Sequence, residues 1–284
     1  MRDAQPRSIR LADYRPPMYL VPRTALHFEL YEEFTLVHAT LQLTRNPASD
    51  QGGPLRLDGE GLELRELLID GVAPAEGSWR CDEQGLELDE PPEAFELRTT
   101  VCIDPRANTA LEGLYLSRGM FCTQCEAEGF RRISYFPDRP DVMSVFTVTI
   151  DADIARYPVL LSNGNRTAHA ELVDGRHRVV WEDPFPKPSY LFALVAGDLA
   201  CVEDRFRTAG GRDVTLRIFV EDKDVAKCDH AMQSLKRSMR WDEERYGREY
   251  DLDVFNIVAV DDFNMGAMEN KSLNIFNTSC VLAC

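Results

Sequence analysis

The sequence is poor in histidine. Its five, at positions 27, 38, 169, 177 and 230, include no pair four residues apart. Two His at i and i+4 are what sets both imidazoles of one helix on a single metal, so that arrangement is absent from these 284 residues. Positive charge is also short, with 32 Lys and Arg against 48 Asp and Glu and a net charge of −16. A phosphate backbone would be repelled, which argues against nucleic acid as a partner. No apolar run is long enough to span a bilayer. Residues 1–17 lack the apolar core of a signal peptide, so the reading is a cytoplasmic chain with no membrane partner. A Ser-His-Asp arrangement, a phosphate-binding glycine loop, internal repeats and low-complexity tracts are all missing. Eight Cys are scattered without a framework and read as free thiols.

What is present reads as β structure. Residues 1–22 are polar and Pro-rich and suggest an extended arm. Val37, Ala39, Leu41 and Leu43 then alternate with polar residues, which gives a strand one buried face. Runs at 62–69, 86–88, 95–103, 146–150, 159–161 and 178–181 are similar. Asn163-Gly164-Asn165 and Asp174-Gly175 read as hairpin turns, because Asn, Asp and Gly tolerate positive φ. His27-Phe28-Glu29 opens like a deaminase motif, but no Pro-Cys-x-x-Cys follows, and its alternation fits a strand. Cys122 and Cys125 form a lone CxxC without a second pair or a thioredoxin-like setting, so the expectation is small packing residues.

Composition shifts near Asp198. Val214, Leu216, Ile218 and Val220 alternate as a strand. Lys223 to Tyr246 reads as one long helix, with Val225, Cys228, Met232, Leu235 and Met239 on a single stripe. Asp222 could cap its start and Gly247 sits where a helix ends. The expected organisation is a β-rich domain over 1–198 and a second unit over 199–284 of about three strands and one helix. A unit that small would struggle to bury its own core, and the chain reads as cut at Cys284.

The informative stretch follows the apolar run Val254 to Val260. Gly266-Ala267-Met268-Glu269-Asn270 is a glycine-led loop, where absence of a Cβ lets backbone approach a ligand and Glu269 adds a carboxylate. On pattern alone a turn after a strand with an exposed Glu is the better reading. However, the pentapeptide resembles the substrate-binding signature of the zinc aminopeptidases of the aminopeptidase N family, most closely their bacterial branch. Its flanks, Asp262 to Met265 and Lys271 to Phe276, share the likeness. So do Glu112 to Tyr115, Cys122 to Arg131, Asp138 to Val142 and Pro188 to Leu199.

The resemblance implies a saddle-like or sandwich β domain followed by the start of a thermolysin-like catalytic domain. The fold class is then mainly β with an α+β carboxyl-terminal part. It implies a metallo-aminopeptidase acting on peptides with free amino termini, as a monomer. Glu126 and Glu269 would grip the substrate ammonium, since a cation between two carboxylates relieves their mutual repulsion. Gln124 and Met265 would line the pocket for the first side chain. Gly266 and Ala267 would offer backbone groups, beside Met268 and Asn270 of the same signature. Zinc belongs to the complete enzyme, held by a His-Glu-x-x-His motif that these residues do not contain. The chain by itself is therefore expected to bind no catalytic zinc and to hydrolyse nothing. The alternative is a non-catalytic peptide-binding or scaffold module that keeps the loop.

Overall fold

A computed structural model describes residues 10–282. Part of the arm expected over 1–22 lies outside the described residues. The rest is not an arm throughout, because the first strand, Tyr19–Leu30, begins inside it. That strand carries Pro22 at a register shift between Leu20 and Arg23, where a residue without an N–H can be accommodated.

The amino-terminal part is built on a seven-stranded sheet. Its order is Asn165–Glu171, Arg176–Pro188, Met143–Asp153, Tyr19–Leu30, Thr35–Arg45, Ala94–Ile103 and Glu63–Ile69. Only the Tyr19–Leu30 and Met143–Asp153 pair is parallel. Alternation sends Leu26, Phe28, Val37, Ala39 and Leu41 into the core and leaves a polar outer face. A four-stranded sheet, Val159–Ser162, Leu194–Gly197, Met120–Gln124 and Gly113–Ser117, contributes to the same core. Phe130 anchors it, with Phe136, Phe146 and Phe192 packed edge-on at centroid distances of 5.1, 6.0 and 5.4 Å.

Two turn readings fare differently. Asp174-Gly175 does join paired antiparallel strands, with both residues at positive φ. Asn163-Gly164-Asn165 does not make a hairpin. The strand before it pairs with Leu194–Gly197 and the strand after it with Arg176–Pro188. The chain changes sheets there, at a point where a Cβ on Gly164 would lie 2.0 Å from the Glu182 carbonyl oxygen. Only glycine permits that approach.

The chain leaves the four-stranded sheet at Gly197 and enters a third sheet at Ala200. This one has five strands rather than about three, in the order Ala200–Arg207, Asp213–Val220, Val254–Val260, Leu273–Asn277 and Ala267–Met268. The middle three are parallel. The long helix is Asp229–Tyr246, closed by Gly247 at φ 62°. The preceding Asp222–Lys227 is a 3-10 segment with no side-chain cap. Three residues per turn takes Val225 out of phase with the stripe, and it is exposed, while Cys228, Met232, Leu235 and Met239 are buried.

The small second unit does not have to enclose a core alone. Leu216, Ile218, Ile257 and Ala259 pack with the helix. Phe219, Val258, Val260, Met268 and Ile275 join the amino-terminal core. The sheet is thus covered on both faces, as parallel strands require.

One buried ion pair sits near this junction. Lys187 Nζ lies 3.1 Å from Asp183 and 4.2 Å from the Phe146 ring centroid. Burial pushes the Lys187 ammonium down to about 8, against the opposing pull of Asp183. The unfolded chain holds that proton up to about pH 10. Between those values the unfolded state binds more protons, so this group's contribution to stability rises with pH. Relative to the Asp183→Asn/Lys187→Met variant, urea unfolding should show wild type gaining about 2 kcal/mol from pH 8 to 10.

Candidate functional site

The Gly266–Asn270 loop leaves the carboxyl end of Val254–Val260, the central parallel strand. Ligands of open parallel sheets bind at such ends. Ala267–Met268 folds back as a two-residue edge strand, antiparallel to Leu273–Asn277. Asn277 N–H donates to the Gly266 carbonyl at 2.9 Å. Antiparallel ladders alternate bonded and non-bonded pairs, so Ala267, one residue on, turns its own N–H and C=O away from the sheet. Of the two residues expected to offer backbone groups, Gly266 therefore has its carbonyl already engaged, and Ala267 presents a free edge.

The side chains divide by burial. Glu269, Met265 and Glu126 are exposed, whereas Gln124, Met268 and Asn270 are buried. Met265 is thus available to a ligand and does not pack in the core. Asn270 braces the loop, with its carbonyl accepting from Leu273 N–H at 3.0 Å and Asn274 Nδ2 at 2.7 Å.

Gln124 joins the two segments that the sequence separates by more than 140 positions. Its Nε2 lies 3.2 Å from the Glu126 carbonyl oxygen and 3.9 Å from Met268 Sδ. Its Oε1 is buried without a hydrogen-bond partner, a state that polar groups rarely keep without a reason. The turn bearing Glu126 is itself tightly held. A Cβ on Gly129 would meet the Gln124 carbonyl oxygen at 2.4 Å. Asp138, buried and with its carboxyl pushed up by desolvation, accepts from Arg131 N–H and Nε at 3.1 Å each and from Ser189 Oγ at 2.6 Å. Three of the family-like blocks thus meet at one carboxylate.

Cys122 and Cys125 are both buried, and burial pushes the Cys122 thiol up to about 12. A thiol held neutral is a poor nucleophile and metal ligand, which agrees with the packing role. All seven Cys among the described residues are free.

The docking of the loop was not legible in the sequence. On one side Tyr115 OH donates to the Asp262 carbonyl at 3.0 Å and Ser117 Oγ to the Asp262 carboxylate at 2.8 Å. Arg118 pairs with Asp261, and Asn264 reaches the Leu111 carbonyl at 3.1 Å. On the other side Asn163 Nδ2 donates to the Lys271 carbonyl at 2.9 Å, and Gly164 N–H to Ser272 Oγ at 2.5 Å. Ser272, a non-glycine residue, holds φ at 62°. Removing both hydroxyls with Tyr115→Phe/Ser117→Ala should lower stability by about 1–3 kcal/mol. Hydrogen exchange should accelerate at 262–268 ahead of the sheets, as mass spectrometry would show.

Comparison with known proteins places this geometry. Residues 86–191 match the Peptidase M1 N-terminal domain and residues 230–284 the Peptidase family M1 domain. The chain is 54% identical over 283 residues to aminopeptidase N of Caulobacter vibrioides, and 53% identical over 279 residues to that of Escherichia coli. Those alignments cover 100% and 98% of this chain and 32% of each relative, so the chain spans about a third of their length. The crystal structure of Legionella pneumophila aminopeptidase A in complex with aspartic acid matches at a TM-score of 0.93 and 36% identity, over 97% of this chain and 32% of that one. The likeness runs through both the β-rich part and the sheet that carries the loop, and the chain belongs to peptidase family M1.

Proposed function

We propose that this chain is the amino-terminal portion of a zinc-dependent aminopeptidase and that it holds the substrate's amino terminus. Glu126 and Glu269 contact the α-ammonium from two sides. Ala267 extends the edge strand with one residue of the peptide backbone. Gln124 and Met265 bound the space for the first side chain, where a flexible, polarizable Met suits varied shapes. The carrying observation is Gln124, whose amide lies against both the Glu126 turn and Met268, the residue before Glu269. Two carboxylates at a free amine discriminate against a blocked terminus, because an amide carries no charge to pair with them. That selectivity would limit removal to one residue at a time.

The boundary near Asp198 fits this division of labour. The β-rich part supplies Gln124 and Glu126, and the sheet after Ala200 supplies the loop. M1 aminopeptidases are zinc-dependent in general. Among the described residues, the one His, Cys, Asp and Glu group with ligand atoms close together is His27, Glu29 and His38, on the large sheet. On this reading the loop residues and Glu126 contribute binding and orientation, and no hydrolytic step is assigned to them.

The test is fluorescence polarisation with labelled tri-alanine and its N-acetylated form, using the 284-residue chain. The free-amine peptide should bind and the acetylated one should not. Glu126→Gln and Glu269→Gln should each weaken binding about tenfold or more, as expected for a charge-assisted hydrogen bond. Equal affinity for both peptides would overturn the assignment.

A further inference from the structure

The polar outer face of the seven-stranded sheet carries a second constellation. His27 and Glu29 lie two apart on Tyr19–Leu30 and so point the same way. His38, on Thr35–Arg45, is the cross-strand partner of His27. One ligand atom from each of the three lies within 4.8 Å of the others. Their side chains are 30%, 27% and 36% exposed, open enough for an ion to enter yet fixed on paired strands.

Neighbouring groups orient all three. His38 Nε2 lies 2.9 Å from Glu29 Oε1, and its Nδ1 lies 3.0 Å from Thr100 Oγ1. Tyr31 OH donates to the other Glu29 oxygen at 2.7 Å. His27 Nε2 lies 2.9 Å from Asp151, which Arg178 grips at both oxygens at 2.7 and 2.6 Å. A carboxylate on one imidazole nitrogen fixes the ring and tautomer and raises the basicity of the other, the arrangement found behind metal-binding histidines. No hydrogen bond reaches His27 Nδ1 among the described residues.

Charge favours selectivity over bulk attraction. Glu29 and Asp151 are balanced by Arg178 and by Arg176, which stacks on Tyr31 with its guanidinium carbon 4.3 Å from the ring centroid. A hard cation such as calcium or magnesium seeks several oxygens and finds in the trio one carboxylate, Glu29, beside two imidazoles. Two imidazoles and a carboxylate suit a borderline transition-metal ion, with a fourth position left for water.

We propose that His27, Glu29 and His38 form a binding site for one divalent transition-metal ion of the zinc, copper and nickel class, cross-linking the first two strands of the large sheet. The site is separate from the peptide-anchoring loop and does not depend on its assignment.

The test uses the 284-residue chain with its thiols alkylated, since free Cys could bind metal on their own account. Calorimetric titration with zinc should show one ion per chain. Copper(II) loading should give an electron paramagnetic resonance spectrum with hyperfine structure from two imidazole nitrogens. His38→Thr, a strand-compatible replacement, and Glu29→Gln, which keeps the shape, should each weaken zinc binding more than about tenfold. His230→Gln, on the exposed face of the helix, should leave it unchanged. Circular dichroism and the urea midpoint in EDTA identify any variant that fails to fold, and Glu29→Gln then decides. Wild-type affinity in folded His38→Thr or Glu29→Gln, or no stoichiometric binding to the alkylated wild type, would overturn the proposal.

Discussion

The loop that carries Glu269 depends on being clamped from two sides by a different part of the chain. Tyr115 and Ser117 hold its entrance at Asp262, and Asn163 and Gly164 hold its exit at Lys271 and Ser272. A loop after a strand, left alone, samples many conformations, and ordering each residue opposes folding by about 1–2 kcal/mol. The clamp settles that cost during folding, before any ligand arrives. A peptide bound as proposed would meet an edge strand already aligned with the sheet, so less freedom would be lost on binding.

The clamp works because its two halves share a core. Val258, Val260, Met268 and Ile275 from the third sheet pack with Phe121, Phe192 and Leu194 from the amino-terminal part. The hydrogen bonds at the loop are therefore made between surfaces that apolar burial already holds together. The same packing explains Gln124. It stands at the end of Met120–Gln124, a strand of the four-stranded sheet, and burial of that strand delivers its amide to Met268.

The two polar constellations use the β scaffold in different ways. The proposed peptide-anchoring site lies where the four-stranded and five-stranded sheets meet, and its residues come from loops and strand ends. His27, Glu29 and His38 lie within a sheet, and their spacing follows from pleat and register alone. In each case rigid elements hold the groups, and neighbouring hydrogen bonds set the orientation of the side chains.

Alternation of apolar residues was enough to predict the strands around Val37–Leu43 and 95–103, because a period of two is written directly into a half-buried strand, and the apolar run at 254–260 read as a strand buried on both faces. Gly247 ended the helix as its lack of a Cβ allows, and the motif residues around Gly266 identified the family by resemblance. What neighbouring residues could not determine was partnership. Asn163-Gly164 has the chemistry of a hairpin turn but joins two sheets, since pairing depends on strands far along the chain. The 3-10 segment at Asp222–Lys227 displaced Val225 from a stripe that helical spacing had placed it on. The union of Gln124 with Met268, and of Tyr115 with Asp262, joins positions more than 140 apart, and no local pattern encodes such a distance. Sequence determined which residues could do chemistry and which face of each strand is apolar; tertiary packing alone decided which of them meet, because burial is shared among segments that local propensity treats independently.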